Sequence, residues 1–301
     1  MGLSVQRDLG EHLLDLSRSG CSERGTAYGP PLLRMAWRTA GVGSAIERYP
    51  ANGPVVRAAA GLIVHSDASV ARLANDYGVV PDREVRRIPL LRVNPVIDRA
   101  AARAALGLAP DDILICSFGI VAPEKLSQLV LAAFVEAGLA AVVSVQLVFV
   151  GSAPGEYGEA LARQMRTAGR SARISCTGFV DDFTYHAHLA AADLAIQLRS
   201  GSRGETSAAA LDVLNYGVPL IVNAHGTMAE LDRAAVVMLD DEVKVPDLAA
   251  AIKRLIDEPA ERTMLGRAGK ALDQHCAQHR KQRGRAEEGR ARIEHEKAGE
   301  N

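Results

Sequence analysis

The chain has 301 residues, enough for two domains of ordinary size, and 48% of them are apolar, ample for buried cores. Its 35 basic residues stand against 36 acidic ones, which leaves no field to draw nucleic acid or an anionic membrane. The four cysteines, at positions 21, 116, 176 and 276, form no C-x-x-C pair, and no signal peptide or apolar run of membrane-spanning length occurs.

Those features point to reduced core thiols at Cys116 and Cys176, which sit in apolar runs. They also point to a cytoplasmic protein, at most peripheral at the inner membrane face. Residues 1 to 57 carry little pattern: a short amphipathic helix on Leu9, Leu13, Leu14 and Leu16, a Gly/Pro break from Gly29 to Pro31, and a basic segment around Trp37. Residues 58 to 66 then read as an apolar strand ending in His65 and Ser66, followed by a helix over SVARLANDYG with Gly78 as its stop. From Arg87 to Val96 the prolines at 89 and 95 disfavour helix in the residues before them and predict an extended linker.

From Asp111 the chain alternates strand and helix. Ile113–Phe118 is a short apolar run, and Pro123 suits a first helical turn whose helix presents Leu126, Leu129, Val130, Ala133 and Phe134 on one face. Val145–Val150 is the next buried strand, ending at Gly151, and a helix from Glu156 to Ala168 leads to a strand over Arg173–Thr177. A short helix through Leu189 and the strand Leu194–Leu198 follow, then a helix closed by Gly217, the strand Leu220–Asn223, the strand Val236–Leu239 and a helix from Pro246 to Ile256. Continuous apolar strands between amphipathic helices predict an α/β domain, a Rossmann-like parallel sheet covered on both faces. Such sheets bind ligands at the carboxyl ends of their strands, where Lys125, Gly151, Gly178 and Glu205 fall. Beyond Gly266 a charged helix passes into a tail of mixed sign with few apolar residues.

The stretch RGETSAAALDVLNYGVPLIVN, residues 203 to 223, carries the most chemistry. A loop of Ser200, Gly201 and Ser202 ends at Gly204, and Ser207, Ala210, Leu211 and Leu214 recur at helical spacing. With Glu205 in the first turn, Glu205 and Asp212 lie seven residues apart and point within about 20° of each other, roughly 10 Å apart along the axis. Free N–H groups at the helix start would hold a diphosphate, while the two carboxylates can accept only from hydroxyls or amines. The bland alternative is an ordinary helix with a charge in its first turn and Asp212 on a solvated face.

This stretch resembles the donor-binding signature of GT-B glycosyltransferases of the large retaining family 4, E-G-F-G-x-x-x-x-E-A-x-A-x-G-x-P-V-V. Aligned on Gly217 and Pro219, Asp212 falls on the second acidic position, which in that family contacts the nucleotide ribose. Gly204 falls on the first acidic position, so Glu205 takes the first role only with a shifted helix start. Lys125, in FGIVAPEKLSQ, matches the lysine of the family's glycine-arginine to lysine-glycine element, which neutralises the donor diphosphate. The arginine position is Ile120, and Arg199, just before the signature loop, is the candidate to replace that charge. The resemblance implies catalytic roles for Lys125 and Glu205 and donor binding by Gly119, Gly151, Arg199, Gly204, Glu205, Thr206, Ser207 and Asp212. The donor would be a UDP- or GDP-sugar, the reaction hexosyl transfer with retention, and no metal or other cofactor would be needed.

The same resemblance divides the chain into a partial N-terminal, acceptor-side domain and linker (1 to 96), a nucleotide-sugar domain (97 to 266) and a charged tail (267 to 301). Too few residues precede position 58 for a complete first domain, which suggests an N-terminally shortened enzyme. Two further readings stay open beside a glycosyltransferase acting on a glycan, lipid or small-molecule acceptor. The chain could be a nucleotide-sugar-binding module without turnover, or a subunit whose first half comes from a partner chain. An epimerase of the same architecture would need residues from a first domain. His275 and His279 have a zinc-compatible spacing but no third ligand, so an exposed helical pair is the simpler reading, and His65 reads as a structural histidine. Neither a G-x-G-x-x-G fingerprint nor a P-loop is present.

Overall fold

The computed structural model describes residues 53–78, 84–90, 92–168 and 173–272. The leucine helix, the Gly/Pro break and the Trp37 segment near the N-terminus, Cys21, Cys276, and the His275/His279 pair with the tail around it lie outside the described residues. The described residues cluster in two compact units, one holding 53–63 and 71–86, the other 64–70 and 87–272.

In chain order the elements begin with α1 (Gly53–Ala58), β1 (Gly61–Val64), α2 (Asp67–Tyr77) and β2 (Glu84–Arg87). The strand expected over 58 to 66 is therefore shorter, because its first residue closes α1, and β1 pairs with β2 in a two-stranded sheet. Gly78 ends α2 in the left-handed region, as its position predicts. The linker expected from Arg87 has no regular structure over its described residues 88–90 and 92–98 and leads into α3 (Arg99–Ala105), whose first turn Asp98 caps through Ala101 N–H at 2.7 Å.

The rest of the second unit is one parallel sheet with helices on both faces. Its strands are β3 (Ile113–Phe118), β4 (Val145–Val150), β5 (Ile174–Cys176), β6 (Leu194–Gln197), β7 (Leu220–Asn223) and β8 (Val237–Leu239). They lie in the order β5-β4-β3-β6-β7-β8, each pair parallel. The chain thus enters at the centre, winds outward to β5, returns to β6 beside β3, and winds the other way. Helices α4 (Ser127–Glu136), α5 (Gly155–Ala168) and α8 (Val245–Asp257) pack on one face through Phe134, Leu161 and Ile252. On the other, α3, α6 (Asp182–Ala191) and α7 (Ala208–Tyr216) pack through Ala102, Leu189 and Val213. A helix over 259–272, α9, follows. Successive strand residues alternate between the two cores, Ile115 with the first and Cys116 with the second, which is why the strands read as unbroken apolar runs.

Two helix starts differ from expectation, and both matter below. Pro123–Lys125 forms a 3-10 turn, and Leu126, at φ 53°, interrupts it before α4 begins. Leu126 is the one non-glycine residue with positive φ among those described, and it stands where the family element has glycine. Likewise α7 begins at Ala208, because the Ser207 hydroxyl accepts from Ala210 N–H and fixes the N-cap there. Glu205 is therefore in the preceding loop, and the shared helix face expected for Glu205 and Asp212 does not exist.

Candidate donor site at the switch point

Strand order reverses between β3 and β6, so the loops leaving their carboxyl ends diverge and open a crevice between them. The β3 loop carries Gly119 and Lys125; the β6 loop carries Arg199, Gly204, Glu205 and Thr206. One backbone bond, Ser200 N–H to Glu124 C=O at 3.0 Å, ties the two loops together.

Gly119 and Gly151 set the floor. Gly119 N–H bonds to Val150 C=O at 3.0 Å and Val121 N–H to Ser152 C=O at 2.8 Å, so the β3 and β4 loops run in contact. A Cβ on Gly151, whose φ is +152°, would meet Gly119 O at 2.1 Å. Only glycine allows this approach.

Above that floor three charged side chains converge. Arg199, with 11% of its side chain exposed, donates from Nη1 to Glu205 Oε1 at 2.6 Å. The other Glu205 oxygen accepts from Arg203 N–H at 2.7 Å, and the carboxylate stays 44% exposed. Burial pushes the half-buried Lys125 ammonium down from 10.5 to about 8, with repulsion from Arg199 adding to the fall and Glu205 and Glu124 partly opposing it. Lys125 is thus not the surface lysine of a helical first turn. Arg199 Nε and Thr206 Oγ1 are buried and have no hydrogen-bond partner among the described residues. Buried polar atoms left unpaired are uncommon, and unpaired donors beside two cations suit an anion.

The β6 loop is fastened from both sides. Thr227 Oγ1 donates to Glu205 C=O at 3.0 Å, and Ser69 Oγ donates to Gly204 C=O at 2.5 Å. Glu230 accepts from the N–H groups of Asp67 and Ala68 at 3.0 and 2.6 Å, holding the start of α2 where Ser69 can reach the loop. Gly204 N–H donates to Ser202 Oγ at 3.2 Å, so of the N–H groups expected on a diphosphate this one already has a partner.

Asp212 is brought to neither Lys125 nor Glu205 by any recorded bond. It is 1% exposed and accepts from Arg92 through both oxygens, Nε to Oδ1 at 2.7 Å and Nη2 to Oδ2 at 3.1 Å, and from Tyr185 O–H at 3.2 Å. Asp212 raises the Arg92 pKa, and burial pushes the Tyr185 hydroxyl up. The solvated face considered for Asp212 is therefore not its position. Arg92 and Tyr185 escaped sequence reasoning because nothing in a linker arginine signals a partner 120 residues away. Among the described residues no group of three or more His, Cys, Asp or Glu is placed to hold a metal ion, and no helix is long and apolar enough to cross a membrane.

A crevice of this chemistry on this fold has counterparts. Residues 98–272 match the family model for glycosyl transferases group 1, more than half of the chain. The chain belongs to that family. Among solved structures, this group 1 glycosyl transferase resembles sucrose-phosphate synthase from Thermosynechococcus elongatus at 22% identity and a TM-score of 0.61, over 78% of this chain and 60% of that one. It resembles Anabaena HepE, solved with UDP and glucose, at 17% identity and a TM-score of 0.65, over 87% of this chain and 68% of that one. The C-terminal domain of a group 1 family protein, LpcC, from Francisella tularensis aligns over 60% of this chain and 92% of its own length, at 18% identity and a TM-score of 0.52. The chain thus spans about three fifths of the synthase, and these likenesses show the α/β fold of the GT-B donor half. No curated protein matches the sequence.

Proposed function

We propose that this chain binds a UDP- or GDP-sugar in the β3/β6 crevice and takes part in hexosyl transfer with retention, as a family 4 type enzyme. The observation that carries the reading is the meeting of Lys125 and Arg199 at the switch point, with Arg199 Nε buried and unpaired. Two cations in one half-buried crevice repel each other, and a diphosphate relieves both. That HepE was solved with UDP and glucose supports a nucleotide sugar over a simple phosphate ester.

In the proposed reaction the bond between sugar C1 and the diphosphate oxygen breaks, and its electron pair leaves with the diphosphate. Lys125 and Arg199 stabilise the charge that grows there, an effect strongest away from bulk water. The acceptor oxygen bonds C1 on the same face and its proton passes to the departing diphosphate. Glu205 accepts from a sugar hydroxyl with its exposed lone pairs while still holding Arg199, and Thr206 Oγ1 offers a hydroxyl to the phosphates. Asp212 serves the ribose through the lone pair that Oδ1 keeps beside its Arg92 bond, or in exchange for Arg92 or Tyr185. No metal takes part in this reading, because the two cations supply the charge.

Calorimetric titration of the folded protein with UDP, GDP and their monophosphates tests donor binding, with the diphosphates expected to bind tighter. Nuclear magnetic resonance of a sugar product reads its anomeric configuration. Absence of binding by every diphosphate at millimolar concentration would sink the proposal.

A further inference from the structure

β7 ends on Asn223, a fully buried polar residue in a strand otherwise made of Leu220, Ile221 and Val222. Its side-chain amide is satisfied three ways. Oδ1 accepts from Arg199 N–H at 2.9 Å, and Nδ2 donates to Arg199 C=O at 2.7 Å and to Asp241 C=O at 3.0 Å. The last backbone pairing between β6 and β7 is Gln197 with Val222, so beyond it the ladder has no regular rung. Asn223 supplies one from its side chain, gripping both backbone groups of Arg199 while also anchoring the loop after β8. Aspartate of the same shape would lack the two donors, and leucine would leave the Arg199 N–H, the Arg199 C=O and the Asp241 C=O without this partner.

We infer that Asn223 is a positioning residue for the donor site: its amide fixes the Arg199 backbone, and so aims the guanidinium at Glu205 and into the crevice shared with Lys125. The clamp itself stands on geometry alone, while its value for ligand binding rests on the proposed diphosphate site. The charged groups that face Lys125 are Arg199, Glu205 and Glu124, from the β6 loop and its own turn. Arg199 lowers the lysine's proton affinity, so an Arg199 set loose should let it rise.

The full-length protein is compared with Asn223→Ala, Asn223→Thr and Arg199→Met, using pH-dependent acetylation of Lys125 read by mass spectrometry. Asn223→Ala should move the Lys125 midpoint upward from about 8, in the direction of Arg199→Met, and should move it no further in the double variant. UDP affinity should fall about tenfold or more in either single variant. The threonine variant introduces a β-branched residue suited to a strand and serves if alanine fails to fold. In the unmodified chain the Arg199 amide should resist hydrogen exchange like the core strands, and fast exchange there would overturn the clamp. So would a folded Asn223 variant with the wild-type Lys125 midpoint, since loss of stability alone would not move it. A shifted midpoint with unchanged UDP binding would instead uphold the clamp and remove the diphosphate from the site.

Discussion

Raising the pH from 7 to 9 should weaken diphosphate binding and stabilise the free fold at the same time. The reason is Lys125, whose pKa is lowered first by burial and then by Arg199, to about 8. With that value the lysine is about nine-tenths charged at pH 7 and about one-tenth charged at pH 9. Only the charged form attracts a diphosphate, and the bound anion holds it charged to higher pH. Affinity should therefore fall about tenfold over this range, or about 1.4 kcal/mol. Stability runs the other way. Because the folded-state pKa lies below 10.5, the penalty for burying the ammonium is fully present below pH 8 and is relieved as pH rises toward 10.5. The fall from 10.5 to about 8 limits the gain to roughly 3 kcal/mol, and residual solvent contact makes it smaller. Isothermal titration with UDP in buffers of different ionisation enthalpy measures both the affinity and the proton taken up near pH 8 to 9. Lys125→Met should bind weakly and with no pH dependence across the same range. Wild-type affinity that stays constant from pH 7 to 9, without proton uptake, would refute the placement of Lys125 on the phosphates.

Other consequences follow from specific contacts. Asp212→Ala strips Arg92 and Tyr185 of their partner, and urea denaturation should show a loss of roughly 2 kcal/mol, below the ~3–5 kcal/mol of a fully buried pair because Arg92 keeps 35% of its side chain in solvent. Unchanged stability with a large drop in nucleoside affinity would instead give Asp212 the ribose. Gly151→Ala drives a Cβ into Gly119 O and should cost about 2 to 3 kcal/mol by the same assay, together with UDP binding through the displaced Lys125 loop. A fully stable variant with intact UDP binding would show that the two loops do not need their close approach.

The strands of the second unit were legible because burial on both faces makes them continuous apolar runs; Ile113–Phe118, Val145–Val150 and Leu220–Asn223 match residue for residue. Helix starts were legible only where a cap competes with nothing else. Glu205 resembled a first-turn acid, yet Ser207 is the stronger N-cap, and its hydroxyl decides where α7 begins. Pro123 suggested a helix start, but the left-handed Leu126 breaks the turn from α4, and leucine gives no warning of that conformation. Arg199 could be named as a replacement charge because it follows a strand end at the edge where ligands bind. Its pairing with Glu205 follows from their separation by six residues across one tight loop. The grip of Asn223 on Arg199 and of Arg92 on Asp212 depends on elements far apart in sequence, and no local period or composition encodes either.

Under the proposed function the electrostatic arrangement accounts for Glu205 in the crevice although a diphosphate is itself negative. Lys125 and Arg199 are partly buried cations that repel each other. Glu205 holds Arg199 by one oxygen and raises the proton affinity of Lys125, so the two cations remain in place before any ligand arrives. Its side chain is 44% exposed and both oxygens are hydrogen-bonded, so it is kept charged at modest cost, whereas the Arg199 Nε edge stays dry and unsatisfied. In the proposed function an anion pairs with that second edge without displacing Glu205. In the proposed function Glu205 is then free to accept from the sugar carried on the same ligand. This division of labour requires a guanidinium, with donors on two separate edges. A lysine at 199 would carry its three donors on one nitrogen, with no second edge set apart for the phosphate.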